Sequence, residues 1–311
     1  LVIEEMELVY YATLMGESFG QQWLNLPSKS ERDAFIEKHV EPRQRFSWKE
    51  LENPMWQVKQ AQSPEQPLFD SLQDFINFVI RFMEDDIREG ERGNMTSPIK
   101  TAVDSVLRDL RDILRTIVDR GGLTVASHRF LVGEFSRTNN RIAVGPPVSA
   151  AKDLLILIRQ GFVSFSGPSP SLTLDHENGT YLIESEKVAN SAQVAHHIVN
   201  GRIHAVDVKN DSSRLMQNLW SKGWIRTFVN TDGKDSLELG GLDVTDDFQL
   251  IGSSGEVHSQ ICAIGIPLEG KYWFNAADAR PDVNSNAIKQ LDRWIESMAS
   301  RLRKKDTRPA S

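Results

Sequence analysis

Cysteine is almost missing: among 311 residues only Cys262 carries a thiol. One thiol closes no internal disulfide, so a disulfide-stapled scaffold is excluded and a reducing, cytoplasmic setting is expected. Long apolar runs are lacking too. The longest, residues 8–15, is interrupted by Tyr and Thr and falls well short of the roughly 18 residues that a membrane span needs. The opening residues carry no basic stretch ahead of an apolar one and do not read as a signal peptide. There is no excess of positive charge: 36 Lys and Arg against 43 Asp and Glu give a net charge of −7, which argues against a general nucleic-acid binder. No G-x-G-x-x-G and no G-x-x-x-x-G-K-[ST] occurs. By itself the chain therefore carries no standard dinucleotide or nucleoside-triphosphate cradle, because such a cradle needs glycines where the backbone meets the phosphates. H-E-x-x-H and paired cysteines are also absent, so the zinc patterns are missing. The densest histidine group, His196, His197 and His204, reads as exposed or hydrogen-bonded histidines, since neighbours on an extended segment point to opposite faces.

What is present is a globular composition, 40% apolar and 25% charged, enough for one large domain or two ordinary ones. The patterning predicts a mixed α/β chain: a mostly helical domain over 1–125 and an α/β part over 126–311. Within 68–87, apolar residues recur at helical spacing, and Gly90 and Gly93 supply a stop. A second helix is predicted through Val103, Val106, Leu107, Leu110, Ile113, Leu114, Ile117 and Val118. Ser97-Pro98 stands at its entry and Gly121-Gly122 at its end, with Asp104, Arg108, Asp109, Arg111, Asp112 and Arg115 on the solvent side. Further on, short strands are expected at 162–165, 224–229 and 261–266, and a hairpin over 171–185 around Asn178-Gly179. Helices are expected at 151–160, 212–221 and 284–302. Residue 1 is Leu, and the chain opens directly into an apolar helical pattern. That suggests an excised C-terminal portion of a longer protein, with a trimmed tag or initiator Met as the alternative.

Gly16-Glu17-Ser18-Phe19-Gly20 matches G-x-S-x-G, the turn that exposes the nucleophile of α/β-hydrolases. That chemistry needs a strand before the serine and a helix after it, and only 15 residues stand upstream. A serine hydrolase using Ser18 is thus a minor alternative. The basic tail at Arg301, Arg303, Lys304, Lys305 and Arg308 complements a helix C-terminus.

Two stretches carry most of the information. One runs from Gly93-Asn94 to Pro146-Pro147 and contains Ser127-His128. The other reads Gly265-Ile266-Pro267-Leu268-Glu269-Gly270-Lys271-Tyr272-Trp273-Phe274-Asn275, followed by Arg280-Pro281-Asp282-Val283-Asn284-Ser285. Physically the second is a strand, an irregular loop and a helix start that Asn284 or Ser285 can cap. Such a start seats an electron-rich ring edge or carbonyl.

Together these stretches resemble the C-terminal half of bacterial FAD/NAD(P)-binding proteins. These are two-dinucleotide-fold flavoproteins, related in architecture to monooxygenases that include nitrogen-hydroxylating ones. The resemblance runs from Tyr10-Tyr11 to Trp294. It implies a Rossmann-type FAD/NAD(P)-binding architecture whose N-terminal half, with the pyrophosphate-binding G-x-G-x-x-G, is missing from this chain and would be its partner. It further implies that Gly265, Pro267, Glu269, Trp273, Asn284 and Ser285 lie nearest the flavin, with Lys271 and Arg280 toward a negatively charged group. Arg108, His128 and Asn139, with Arg280, would face a small-molecule substrate or the nicotinamide. One departure is Leu268, where relatives more usually carry Thr. The implied activity is reduction of FAD by NAD(P)H and monooxygenase-type oxidation of a small molecule by the complete protein, this chain alone being inactive. A non-catalytic, FAD-binding-like interaction protein is the alternative. A chain cut from its FAD sheet would expose apolar edges, so homodimerisation is expected, and a clean monomer on size exclusion would count against it.

Overall fold

Serine caps start the helices where polar residues precede apolar periodicity. In the computed structural model, which describes residues 2–61, 67–202, 205–275 and 285–306, Ser28 Oγ accepts from the Glu31 N–H while Glu31 returns the bond to Ser28. Ser71 caps the Leu72–Arg92 helix in the same sense through Asp74. That helix ends at Gly93, with φ of 79°, a left-handed turn that glycine adopts without steric cost. Gly90 lies inside it rather than stopping it.

The chain forms two units, 1–110 with 138–201 and 111–137 with 202–311. In the first, the Val2–Met15, Glu17–Leu24 and Lys29–His39 helices enclose an aromatic core of Tyr11, Trp23, Ile36 and Val40. A second cluster, Phe69, Phe75 and Val188, takes in Phe78 and Phe165, and the Leu72–Arg92 helix packs on the Val148–Arg159 helix. The strands of this unit, β1 (Ser171–Asp175), β2 (Thr180–Glu184) and β3 (Gln193–Ala195), form an antiparallel sheet in that order.

The hairpin expected at Asn178-Gly179 is there, but its turn is longer than a two-residue one. Asp175 pairs with Thr180, Gly179 takes φ of 63°, and the Asp175 carboxylate accepts from the Glu177 and Asn178 N–H groups. The strand expected at 162–165 does not form. After Gly161, at φ 76°, the backbone is irregular, and Phe165 is used as a single packing residue against Phe75. A short apolar run alone does not distinguish these outcomes.

In the second unit, β4 (Thr227–Thr231) pairs antiparallel with β5 (Ser236–Leu242), and β6 (Gln249–Ile251) with β7 (Val257–Cys262). The core is Val208, Ile225, Leu242, Val244, Phe248, Leu250, Leu268 and Tyr272. The strand expected at 261–266 is shifted: β7 ends at Cys262, and Ile266–Leu268 is a 3-10 turn entered through Gly265 at φ 75°. The closing helix spans Asn286–Asp306. The chain is thus mixed helix and sheet, as expected. Among the described residues all named strand pairs are antiparallel and the sheets have two or three strands, so the parallel sheet of a Rossmann-type fold is not found there. No helix among them is long and apolar enough to cross a membrane.

The helix expected through 103–118 is broken, and the break has a consequence. Pro98–Val103 is α-helical, Asp104–Asp109 is a π-turn, Leu110 leaves the helical region at φ −85°, ψ 7°, and Arg111–Val118 resumes. A π-turn admits about one extra residue, so the register of a single unbroken helix is not kept through this stretch. The apolar stripe is therefore cut: Val103, Val106, Leu107 and Val118 are buried, whereas Ile113 and Ile117 are exposed and Arg115 is buried instead.

The hydrolase pattern also has a structural explanation. Residues 8–15 are helical, and Ser18 lies exposed in the first turn of the next helix, so the strand that a nucleophile elbow requires is not built. Gly16 makes the turn between the helices at φ 99°. Gly20 lets them approach, since a Cβ there would stand 2.9 Å from the Ala12 Cβ.

Candidate functional site

The loop at 265–275 follows β7, and its backbone is held by buried and half-buried charges. Glu269 Oε1 accepts from the Phe274 N–H and Oε2 from the Asn275 N–H, each at 2.8 Å. Asp119 Oδ1 accepts from the Trp273 N–H at 2.9 Å. From the Arg111–Val118 helix, Arg115 donates through Nε to the Trp273 carbonyl at 3.3 Å and through its terminal nitrogen to the Phe274 carbonyl at 2.8 Å. Phe274 is at φ 59°, a left-handed conformation that bulky residues hold only when the surroundings impose it. The Arg111 guanidinium lies 4.2 Å from the centre of its ring.

The loop is also tied to the closing helix. Asn275 Oδ1 accepts from Asn286 Nδ2 at 3.2 Å and from Gln290 Nε2 at 3.0 Å, and Gln290 Oε1 accepts from the Gly265 N–H at 3.0 Å. Gln290, an amide with a donor and an acceptor end, thus joins both ends of the loop to one helix turn. Lys289 reaches Asp112 at 2.9 Å. That bond, reinforced by Arg115 against some desolvation, holds the Asp112 carboxyl below its usual range.

Burial pushes the Asp119 carboxyl up to about 6, against the opposing pull of the Trp273 N–H, Arg115 and Arg120. Burial also raises Glu269 despite its two backbone donors, the expected response of a carboxylate removed from water. His128 is fully buried, with Nδ1 3.0 Å from Asn230 Nδ2. Burial lowers its pKa, the Gly270 backbone opposing. Asn230 also donates to the Leu123 carbonyl at 2.9 Å.

Of the residues expected at a cofactor, Gly265, Pro267, Glu269 and Trp273 share this loop, and the Asn275 and Gln290 bonds bring it to the helix that Ser285 precedes. Pro267 sits inside the 3-10 turn. Trp273 is buried and donates from Nε1 to Ser136 Oγ at 3.3 Å. Ser285 is also buried, and its Oγ has no hydrogen-bond partner. Asn284 and Arg280 lie outside the described residues. Lys271 is turned inward, its ammonium taken up by Asp243 at 2.7 Å and by the Val244 carbonyl, with Arg226 on the other Asp243 oxygen. His128 belongs to this second unit, whereas Arg108 and Asn139 belong to the first. There Arg108 is exposed and paired with Asp104 at 2.5 Å. Asn139 is buried, with its Oδ1 unpartnered.

Arg115 and Asp119 are the site residues that sequence reasoning missed. Arg115 sits on the face read as solvated, and Asp119 follows the last residue of the apolar stripe. No sequence signal marks either, because the apolar spacing runs unbroken through Leu110 and the break at Asp104–Asp109 exists only in the fold.

No protein-family model matches the chain. It is similar to an enzyme named L-aspartate N-monooxygenase (nitrosuccinate-forming) from Streptomyces cremeus, 29% identical over 96% of this chain and 46% of that protein. The enzyme of the same name from Streptomyces davaonensis is 30% identical over 94% of this chain and 45% of that protein. The nitrosuccinic acid synthase npaA of Aspergillus oryzae is 28% identical over 94% and 44%. Nearly the whole of this chain therefore has counterparts in enzymes named for N-oxygenation of an amino acid, and it spans about half the length of these curated relatives.

Proposed function

We propose that this chain forms part of a longer, flavin-dependent monooxygenase that oxidises the amino nitrogen of a small amino acid, with L-aspartate the first substrate to try. The observation that carries this reading is the similarity over 94–96% of the chain to enzymes named L-aspartate N-monooxygenase or nitrosuccinic acid synthase. On this reading the Rossmann-type pyrophosphate site belongs to the remainder of the longer protein, and the loop at 265–275 with the start of the closing helix faces the ring system.

The residues present fit such a group. Ser285 Oγ is a buried hydroxyl without a partner at the mouth of a 21-residue helix, whose N-terminal dipole favours an electron-rich edge. Gly265 has open space where a Cβ would stand. The Ser285 hydroxyl and the first helical turn would hold the polar edge of the ring. Trp273 and Leu268, both buried, would close the loop side against water. When bound, the flavin supplies the transfer of electrons from NAD(P)H to oxygen, chemistry that side chains alone do not perform. The chain's own residues orient, exclude water and fix the loop; none need act as acid or base.

The test is the visible absorption spectrum of the full-length protein after incubation with FAD and desalting. A retained flavin band, with NAD(P)H oxidation that forms nitrosuccinate from L-aspartate, is the expected result. Absence of the band overturns the flavin reading. Flavin retention without substrate-dependent NAD(P)H oxidation would favour the non-catalytic alternative.

A further inference from the structure

We infer that Arg115, Asp119 and Glu269 are positioning residues, a charged clamp of one buried guanidinium and two half-buried carboxylates that sets the backbone of 273–275, and that Asp119 makes the grip of this clamp depend on pH. The three consecutive N–H groups of Trp273, Phe274 and Asn275 are accepted by two carboxylates, at 2.8–2.9 Å. The two carbonyls of Trp273 and Phe274 are both held by one guanidinium. Five successive backbone polar groups thus depend on three side chains. The side chains come from two places far apart in sequence, and they enforce the left-handed Phe274 that no glycine relieves.

The charges do not balance. Asp119 faces the Trp273 N–H and Glu269 from the loop, Arg115 from the preceding helix, and Arg120 from its own turn, with the buried Tyr272 ring also in its field. Two half-buried carboxylates share one buried guanidinium, that of Arg115, which also bonds Asp112. Arg120 is half-exposed and paired outward with Asp246. A proton on Asp119 relieves this surplus of negative charge without removing the oxygen that Trp273 needs, since a neutral carboxyl still accepts through its carbonyl. The raised pKa of Asp119, about 6, sets the direction: the closed loop binds that proton more tightly than an opened, solvated one, so the clamp tightens as pH falls through about 6. The assignment of the loop to a flavin rests on the function proposed above; the clamp stands on its own geometry.

The experiment is residue-resolved amide hydrogen exchange of the full-length protein between pH 5 and 8, corrected for intrinsic rates. In the wild type, protection at Trp273, Phe274 and Asn275 is expected to be higher at pH 5 than at pH 7.5 by a factor of about two to ten, the upper figure being the full linkage of a carboxyl moved to about 6 and the lower allowing for solvent screening. Asp119→Asn keeps an acceptor and removes that carboxyl's titration, so protection at Trp273 should lose most of its pH dependence and lie at or above the wild-type value at pH 5; what pH dependence remains at Phe274 and Asn275 follows Glu269, which burial also raises. Glu269→Gln offers one acceptor oxygen to two N–H groups and should lose protection at Phe274 or Asn275 while keeping the pH profile at Trp273. An Asp119→Asn profile that rises and falls with pH as the wild type does would overturn the inference, and so would unaltered protection in Glu269→Gln. The visible spectrum decides the flavin reading separately: a protein without flavin but with the expected exchange pattern refutes that reading and leaves the clamp supported.

Discussion

The two units bury different things. The first relies on aromatic contacts: Phe69, Phe75 and Phe78 within 5.1–6.5 Å of one another, and Tyr11 against Trp23. Two of its ion pairs, Lys29–Asp33 and Arg88–Asp85, lie in solvent with both partners more than half exposed. The second unit takes charge inside. Lys271 and Asp243 are each about one-tenth exposed, and Arg115 is buried at the loop. Exposed pairs of the first kind contribute little, because water already solvates each partner. A buried pair adds little net stability over an apolar pair, yet becomes expensive once one partner is lost. Charge in the second unit therefore buys specificity of conformation, and it is concentrated around the loop that the function proposed here would use.

That contrast can be broken first at Asp243. Asp243→Ala leaves Lys271 buried with only the Val244 carbonyl, and a loss of about 3–5 kcal/mol in urea unfolding is expected; a loss below about 1 kcal/mol would mean that water reaches the pair. In the first unit, Phe75→Leu keeps the apolar character but gives up ring contacts with Phe69 and Phe165. A loss of about 1–1.5 kcal/mol, insensitive to salt, is expected there.

Asp119→Asn should act in the opposite direction. An acid whose folded pKa is about 6, above its ordinary value, binds its proton more tightly in the fold than in the unfolded chain. Its contribution is fully present below about pH 4 and is lost as pH rises through about 6. The variant should therefore be more stable than wild type at pH 7.5 by about 1 kcal/mol, a figure discounted for partial exposure, and the gain should vanish below about pH 4. Thermal unfolding at the two pH values checks the sign. Smallest of all, Arg88→Ala removes an exposed pair with Asp85 and should change stability by less than about 0.5 kcal/mol. A larger effect would dissolve the contrast between the units.

The parts of the fold legible in the sequence are those whose cause is local. The Leu72–Arg92 helix follows from its own apolar spacing and its Ser71 cap, and Ser97 caps the Pro98–Val103 helix through the Lys100 N–H. The Gly179 hairpin and the Gly265 entry to the loop likewise follow from residues within a few positions. Boundaries failed where a short apolar run had two uses. Residues 162–165 became loop because Phe165 fills a gap beside Phe75, and residues 263–266 left the strand because the backbone turns at Gly265.

The amino-acid sequence by itself determined the capped helices, the turns at Gly93, Gly179 and Gly265, and that the stretch at 265–275 is a singular one. Periodicity, capping and positive φ all act within about one turn of chain. Only the tertiary structure decided what that stretch is held by. Arg115, predicted on the solvent side, is buried and meets Trp273, 158 residues away. Asp119 meets the same residue across 154. No local pattern encodes such partners, because a buried charge is stable only once the distant groups that compensate it have been brought to it.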